Sequence, residues 1–230
     1  ILKLKPSCLR LEGPVILPCL GLGVSTFVML STESLLSITF TASLARYGGD
    51  LAVGAMTIIT SVSQLVTLPL QGVCQGGQPI ISYNYGAGHG DRVKKTFYLV
   101  FSVCMTYTVL FWAAVLLFPS VFAGIFTTNA ELSEYTSWAL RVYMAGIFAC
   151  GAQCSCQQSF MALGQAKVSL LLACLRKIVL LIPLILILPH VLPFDPVFSV
   201  FLAEPVSDIA AAVITTITFL TRFNRILEMR

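Results

Sequence analysis

Apolar residues run through this chain in six long blocks, at roughly 14–46, 51–82, 93–118, 133–162, 167–189 and 197–222. Several reach the ~20 residues that a helix needs to cross a ~30 Å hydrocarbon core. No ten-residue alternation of apolar and polar positions appears, so a transmembrane barrel is not expected. The blocks end at recognisable punctuation. Pro14 can open the first, because a missing N–H is harmless at the first helical position. Gly48-Gly49-Asp50 reads as a tight turn, and Phe118-Pro119 closes the third block. Thr127-Thr128-Asn129 ahead of Glu131 and Glu134 is N-terminal helix chemistry. Leu163-Gly164-Gln165 separates the fourth and fifth blocks, and Pro189, Pro193 and Pro196 bracket the last loop. The first, second and fourth blocks are longer than one crossing requires and should tilt, bend or protrude. Gly76-Gly77 before Pro79, Pro69, and Glu204-Pro205 are the expected bends.

Composition sharpens this into a class. Of 230 residues 57% are hydrophobic and 10% charged, against about 25% charged in soluble domains. So few charges cannot cover a water-soluble surface of this size. The chain reads as an all-α integral membrane protein with the lipid bilayer as its first partner. Its basic residues alternate by loop. Lys3, Lys5 and Arg10, then Arg92, Lys94 and Lys95, then Lys167, then Arg222, Arg225 and Arg230 fall on one side. The other loops hold Arg46 with Asp50, Glu131, Glu134 and Asp195. The positive-inside rule makes the basic side cytoplasmic, with both termini of the segment on it. The net charge of +4 is then a topology signal, and no nucleic-acid partner is expected. The expected location is a plasma or inner membrane, crossed several times. The first residue is Ile1, and the start reads as a loop entering a helix, as in a piece of a longer polypeptide.

The glycine-rich stretch GAGHG at 86–90 falls in a cytoplasmic turn. It lacks the G-x-G-x-x-G spacing and the lysine in register that a phosphate-binding loop needs. Seven of the cysteines lie in or beside apolar blocks, where thiols act as small hydrophobes. Cys154 and Cys156, two apart, would point to different faces of a helix, so no metal site is expected. His89 and His190 fall in loops on opposite sides, with no nucleophile–base pair in view. No enzymatic activity, catalytic residue or cofactor is expected.

QGGQPIISYNYGAG at 75–88, followed by DRVKK, resembles the multidrug and toxic compound extrusion (MATE) transporters. ESLLSITFTASLARYGGDLAVGAMTI at 33–58 is similar to the first helix and turn of that family's second half. FPSVFAGIFTTN at 118–129, QQSFMALGQAK at 157–167 and ACLRKIVLLIPLILILPH at 173–190 follow in the family's order. The resemblance covers nearly all of 1–230. It implies a six-transmembrane-helix lobe, one half of a twelve-helix two-lobe transporter whose amino-terminal lobe is missing here. It implies secondary active export of amphipathic, often cationic, organic compounds, coupled to entry of a proton or sodium ion.

Ionisable groups inside a membrane span are functional candidates by default. Glu33 lies well inside the first block, with Thr26, Ser37 and Thr41 on its side of the helix. The resemblance implies that an acidic residue at this place binds the coupling cation; the alternative is a carboxyl held for packing. The family's second acid on the fourth helix is absent from GAQCSCQQS, which favours a proton over sodium. Gln64, Gln71, Gln75 and Gln78 share one face of the second block, where they could line a cavity or join helices. Gln153 and Gln157 form an i, i+4 pair on the fourth, and Phe40, Tyr143, Met144 and Phe148 could add apolar contact to a substrate. Arg176 and Lys177 lie at the depth of Asp208, with Glu204 one turn away. Buried opposite charges pair, so these four read as a structural ion-pair cluster, or else as a second proton-relay site. Competing readings are a lipid-linked saccharide flippase, which would want a strongly cationic cavity, and a non-transporting membrane remnant.

Overall fold

A computed structural model describes residues 13–228, apart from the side chains at 13–15, 17–26, 28–30, 166, 224 and 228. Lys3, Lys5, Arg10, Arg230 and the side chain of Thr26 therefore lie outside the described residues. The helical stretch Gly13–Gly86 is broken at Gly49, whose φ of 63° lies in the left-handed region. A side chain there would meet the backbone carbonyl, which is why the reversal falls on glycine. It divides the stretch into α1 (13–48) and α2 (50–86). Next come α3 (Gly90–Leu117) and a short α4 (Pro119–Phe126). The remaining long helices are α5 (130–162), α6 (166–191) and α7 (Pro196–Glu228). Six of the seven are long helices, as the apolar blocks predict.

Among the described residues, Ser31–Gly86, Gly90–Leu117, Lys167–Val191 and Pro196–Leu227 are long and apolar enough to cross a membrane. The first of these contains the Gly49 reversal.

Several local expectations change. Proline after Phe118 does not simply end a helix; it starts α4, because its fixed φ suits a first helical turn. Asn129 caps α5, its side chain accepting from the N–H groups of Glu131 and Leu132. Gly49 has the only non-helical backbone within 13–86, so no break marks Pro69 or Gly76-Gly77. Gly77 instead serves close approach: a Cβ there would lie 2.6 Å from Val100 of α3. Helix α6 likewise runs through Pro189 to Val191.

Two irregular segments bend the lobe. In α5 a 3₁₀ turn, Met144–Ala149, joins Ala130–Tyr143 to Cys150–Ala162. Backbone carbonyls freed in a membrane must find partners inside the protein. Trp112 Nε1 donates to the Ala145 carbonyl at 3.1 Å, and Thr108 Oγ1 donates to that of Phe148 at 3.2 Å. Pro205 of α7 presses on the same turn, where a Cβ on Gly146 would lie 2.7 Å from Pro205 Cα. In α6 a π segment, Leu175–Leu181, joins Ala166–Cys174 to Ile182–Val191. Ser207 Oγ donates to the Arg176 carbonyl there at 3.1 Å.

The core is packed in tiers. Toward the Gly49 end, Phe40, Leu44, Ile59, Met144, Leu181 and Phe201 are fully or nearly fully buried together. A middle group holds Leu70, Cys74, Val100 and Cys104. At the other end Phe97, Phe160, Phe219 and Phe223 stack, with Phe219 and Phe223 rings 4.7 Å apart. Ser82 donates to the Ala162 carbonyl across this end. Gly48 faces Val197 and Tyr135 at the opposite one. The turns carrying Arg92, Lys94, Lys95 and Lys167 thus share one end with Arg222 and Arg225.

Candidate functional site

The two charged positions of the π segment point to different helices. Arg176 Nη2 donates to Glu204 Oε1 of α7 at 3.1 Å and also meets Asp208 Oδ1. Lys177 Nζ donates to Glu33 Oε1 of α1. All four residues of the sequence cluster are ion-paired, but Lys177 takes Glu33 rather than Glu204 or Asp208. The physical reason is helical: neighbouring residues diverge by about 100° or a little less around an axis. One helix can therefore serve two flanks with consecutive side chains. The sequence placed Glu33 with Ser37 and Thr41 on its side of the helix; in the structure its carboxylate is held by Lys177 of another helix.

The two pairs differ in exposure. Glu204 and Asp208 are 8% and 4% exposed, inside the lobe. Cys150 lies 3.6 Å from Asp208 Oδ2. The Glu33 side chain is 56% exposed, on the face of α1 turned away from the core. Ser37 and Thr41 are exposed beside it. On α2, Gln64, Gln71 and Gln75 are also exposed, opposite the buried row Ile59, Val62, Val66, Leu70 and Cys74. Thr57 and Thr60 on this face donate to carbonyls one turn back.

Other expected cavity residues turn inward. Gln153 is 4% exposed within the lobe. Gln157 joins α5 to α6: its Nε2 donates to the Ser169 carbonyl at 3.4 Å, and Ser169 Oγ donates back to the Gln157 carbonyl at 3.3 Å. The Gln157 amide thus serves helix association, whereas Gln153 Oε1 is buried with no hydrogen-bond partner. Phe40 and Met144 are core residues, and the Phe40 and Tyr143 rings lie 5.9 Å apart. An open apolar groove runs among Met105, Phe148, Ala152, Ile209 and Val213. Among the described residues no group of three or more His, Cys, Asp or Glu is arranged to hold a metal ion.

A family model, MatE, matches residues 25–187, most of the chain, including Glu33, Arg176 and Lys177. The chain belongs to the MatE family. The multidrug export protein MepA of Staphylococcus aureus (strain NCTC 8325 / PS 47) is 26% identical over 200 residues, covering 84% of this chain and 42% of MepA. A solved structure of the MATE multidrug transporter DinF-BH is 32% identical, with a TM-score of 0.80. It matches across 99% of this chain and 50% of that one. A MATE structure in the bent conformation has a TM-score of 0.86 at 15% identity, covering 98% of this chain and 50% of that one, and shows the shared fold. The MatE chain described here thus spans about half the length of the relatives it matches. It is an all-α, multi-pass membrane lobe of a transporter family.

Proposed function

We propose that this chain is the carboxyl-terminal half of a multidrug exporter driven by ion antiport. In this reading Glu33 binds the coupling ion, a proton or sodium, and the outward face of α1 and α2 borders the path of an amphipathic organic cation. One observation carries it: the Glu33 side chain of α1 stays exposed, and so do Gln64, Gln71 and Gln75 of α2. Lipid cannot solvate a carboxylate and a row of amides, and ionisable groups in membrane spans face protein or a water-filled cavity. In this reading an amino-terminal lobe like that of the longer relatives is the natural cover, with a cavity between the halves. The lone carboxylate on this face favours a proton as coupling ion. The basic turns favour a cytoplasmic side for both termini of the segment, in a plasma or inner membrane.

Lys177 gives the coupling step a mechanism. Its ammonium is a resident cation on Glu33, so an incoming ion must compete with it. Ion binding frees Lys177, and ion release restores the pair. The carboxylate is thereby never left bare in either state. No observation favours a saccharide flippase, since Arg176 and Lys177 are both engaged by carboxylates. Measured export also separates this reading from a non-transporting remnant.

The test is Glu33→Gln in the full-length transporter. The amide keeps the shape and loses the titratable charge. Folding and part of substrate binding are expected to persist while ion-driven efflux is lost. Export at the parental rate with unchanged pH or sodium dependence would make Glu33 a packing residue.

A further inference from the structure

The charges inside the lobe do not balance. Among the described residues, Glu33, Glu204 and Asp208 meet only Arg176 and Lys177 in ion pairs, three carboxyl groups against two cations. Lys177 is taken by Glu33, so the imbalance falls on Arg176, which meets both Glu204 and Asp208. These two carboxyls are more than nine-tenths buried. Glu204 Oε2 and Arg176 Nε are buried with no hydrogen-bond partner. From α5, the Tyr143 phenol and the Cys150 thiol also face this cluster. Neither can supply positive charge. Glu33 and Lys177 stand within electrostatic range across α6.

An unpaired charge buried in a membrane helix bundle is strongly unfavourable. Two carboxyls sharing one cation resolve this when one of them is protonated. We propose that Glu204 and Asp208 hold one exchangeable proton between them across Arg176, making the α6–α7 seam a second proton-binding site of this lobe, distinct from Glu33. Glu204 is the better carrier. Its free Oε2 can take the proton while Oε1 still accepts from Arg176, whereas Asp208 also has the Cys150 thiol beside it.

The arrangement links the two sites through consecutive residues of α6. When an ion replaces Lys177 on Glu33, the freed ammonium sits one position from Arg176. Added positive charge there favours release of the proton on Glu204. Uptake at Glu33 then promotes release at Glu204, and the reverse holds by linkage. This exchange rests on the coupling role proposed for Glu33; the bound proton itself does not.

The test is infrared difference spectroscopy on the purified full-length protein in lipid nanodiscs at neutral pH. The carbonyl stretch of a protonated carboxyl is read, and its shift in heavy water identifies it. The band is expected in the parent, and weaker in Glu33→Gln, where Lys177 has lost its carboxylate. It should be lost in Glu204→Gln and lost or shifted in Asp208→Asn, with about one proton fewer bound per protein in an acid titration. Asp208→Asn supplies the answer if Glu204→Gln does not fold. A parental spectrum without such a band, or one unchanged by both variants, overturns the proposal. Efflux by Glu33→Gln is scored separately, so failure of the coupling assignment leaves this result readable.

Discussion

Arg176 holds two carboxyl groups on one guanidinium, and its removal differs in kind from removal of either partner. Arg176→Met would leave Glu204 and Asp208 buried side by side without a cation. Breaking a buried ionic group in this way typically costs about 3–5 kcal/mol. Asp208→Asn keeps the Arg176–Glu204 contact and balances the charges, so its loss should be well below that figure. Thermal unfolding of the two variants in detergent checks this, and equal losses of Tm would show that charge balance does not govern the cluster. The pairing was only partly legible in the chain. Matching depth along the helices brought Arg176, Lys177, Glu204 and Asp208 together. Which cation meets which acid depends on azimuth around α6, and one-dimensional spacing does not contain it. The same limit explains Gln153 and Gln157. Their i, i+4 spacing puts them on one face, but only packing shows that face turned inward.

At the scale of elements, the π segment Leu175–Leu181 sets the direction of both charged side chains. A π turn has one residue more per turn than the α-helix around it. Deleting one residue restores α geometry and rotates one side of the segment by about 100° relative to the other. Deletion of Val179 is therefore expected to abolish ion-driven efflux and lower Tm by misaligning Arg176 with α7. Val179→Ala, at a position 58% exposed, should change stability by no more than about 0.5 kcal/mol. Export by the deletion variant at the parental rate would remove the π segment from the mechanism. Neither this segment nor the 3₁₀ turn of α5 holds a proline that would announce it in the sequence. Both are tolerated because side chains of other helices, Trp112, Thr108 and Ser207, bond the carbonyls that irregular geometry leaves available. Those partners are distant in sequence, so the tolerance is tertiary.

For the whole lobe, the helix order brings the turns at 87–89 and 163–165 to one end, and Gly49, 127–129 and 192–195 to the other. Single cysteines at Ala87 and Asn129, in a background lacking the native ones, should react with an impermeant thiol reagent from opposite sides of the membrane. Labelling from the same side would sink the six-crossing arrangement. Exposed leucine and valine side chains such as Leu171, Leu186 and Val213 suit lipid, whereas Glu33 and the exposed glutamines require protein or water.

The sequence by itself determined the class, the number of long helices and the loops between them. Those features follow from local quantities: block length against bilayer thickness, glycine and proline at breaks, and Lys/Arg bias between loops. It also singled out Glu33, because a carboxyl inside an apolar block is conspicuous without any fold. The tertiary structure decided what Glu33 touches, that α6 divides its two cations between α1 and α7, and that one carboxyl is left over. Each of these is a relation between side chains 28 to 144 positions apart. Such relations are fixed by how helices rotate and pack against one another, and hydropathy along a single chain carries no record of that rotation.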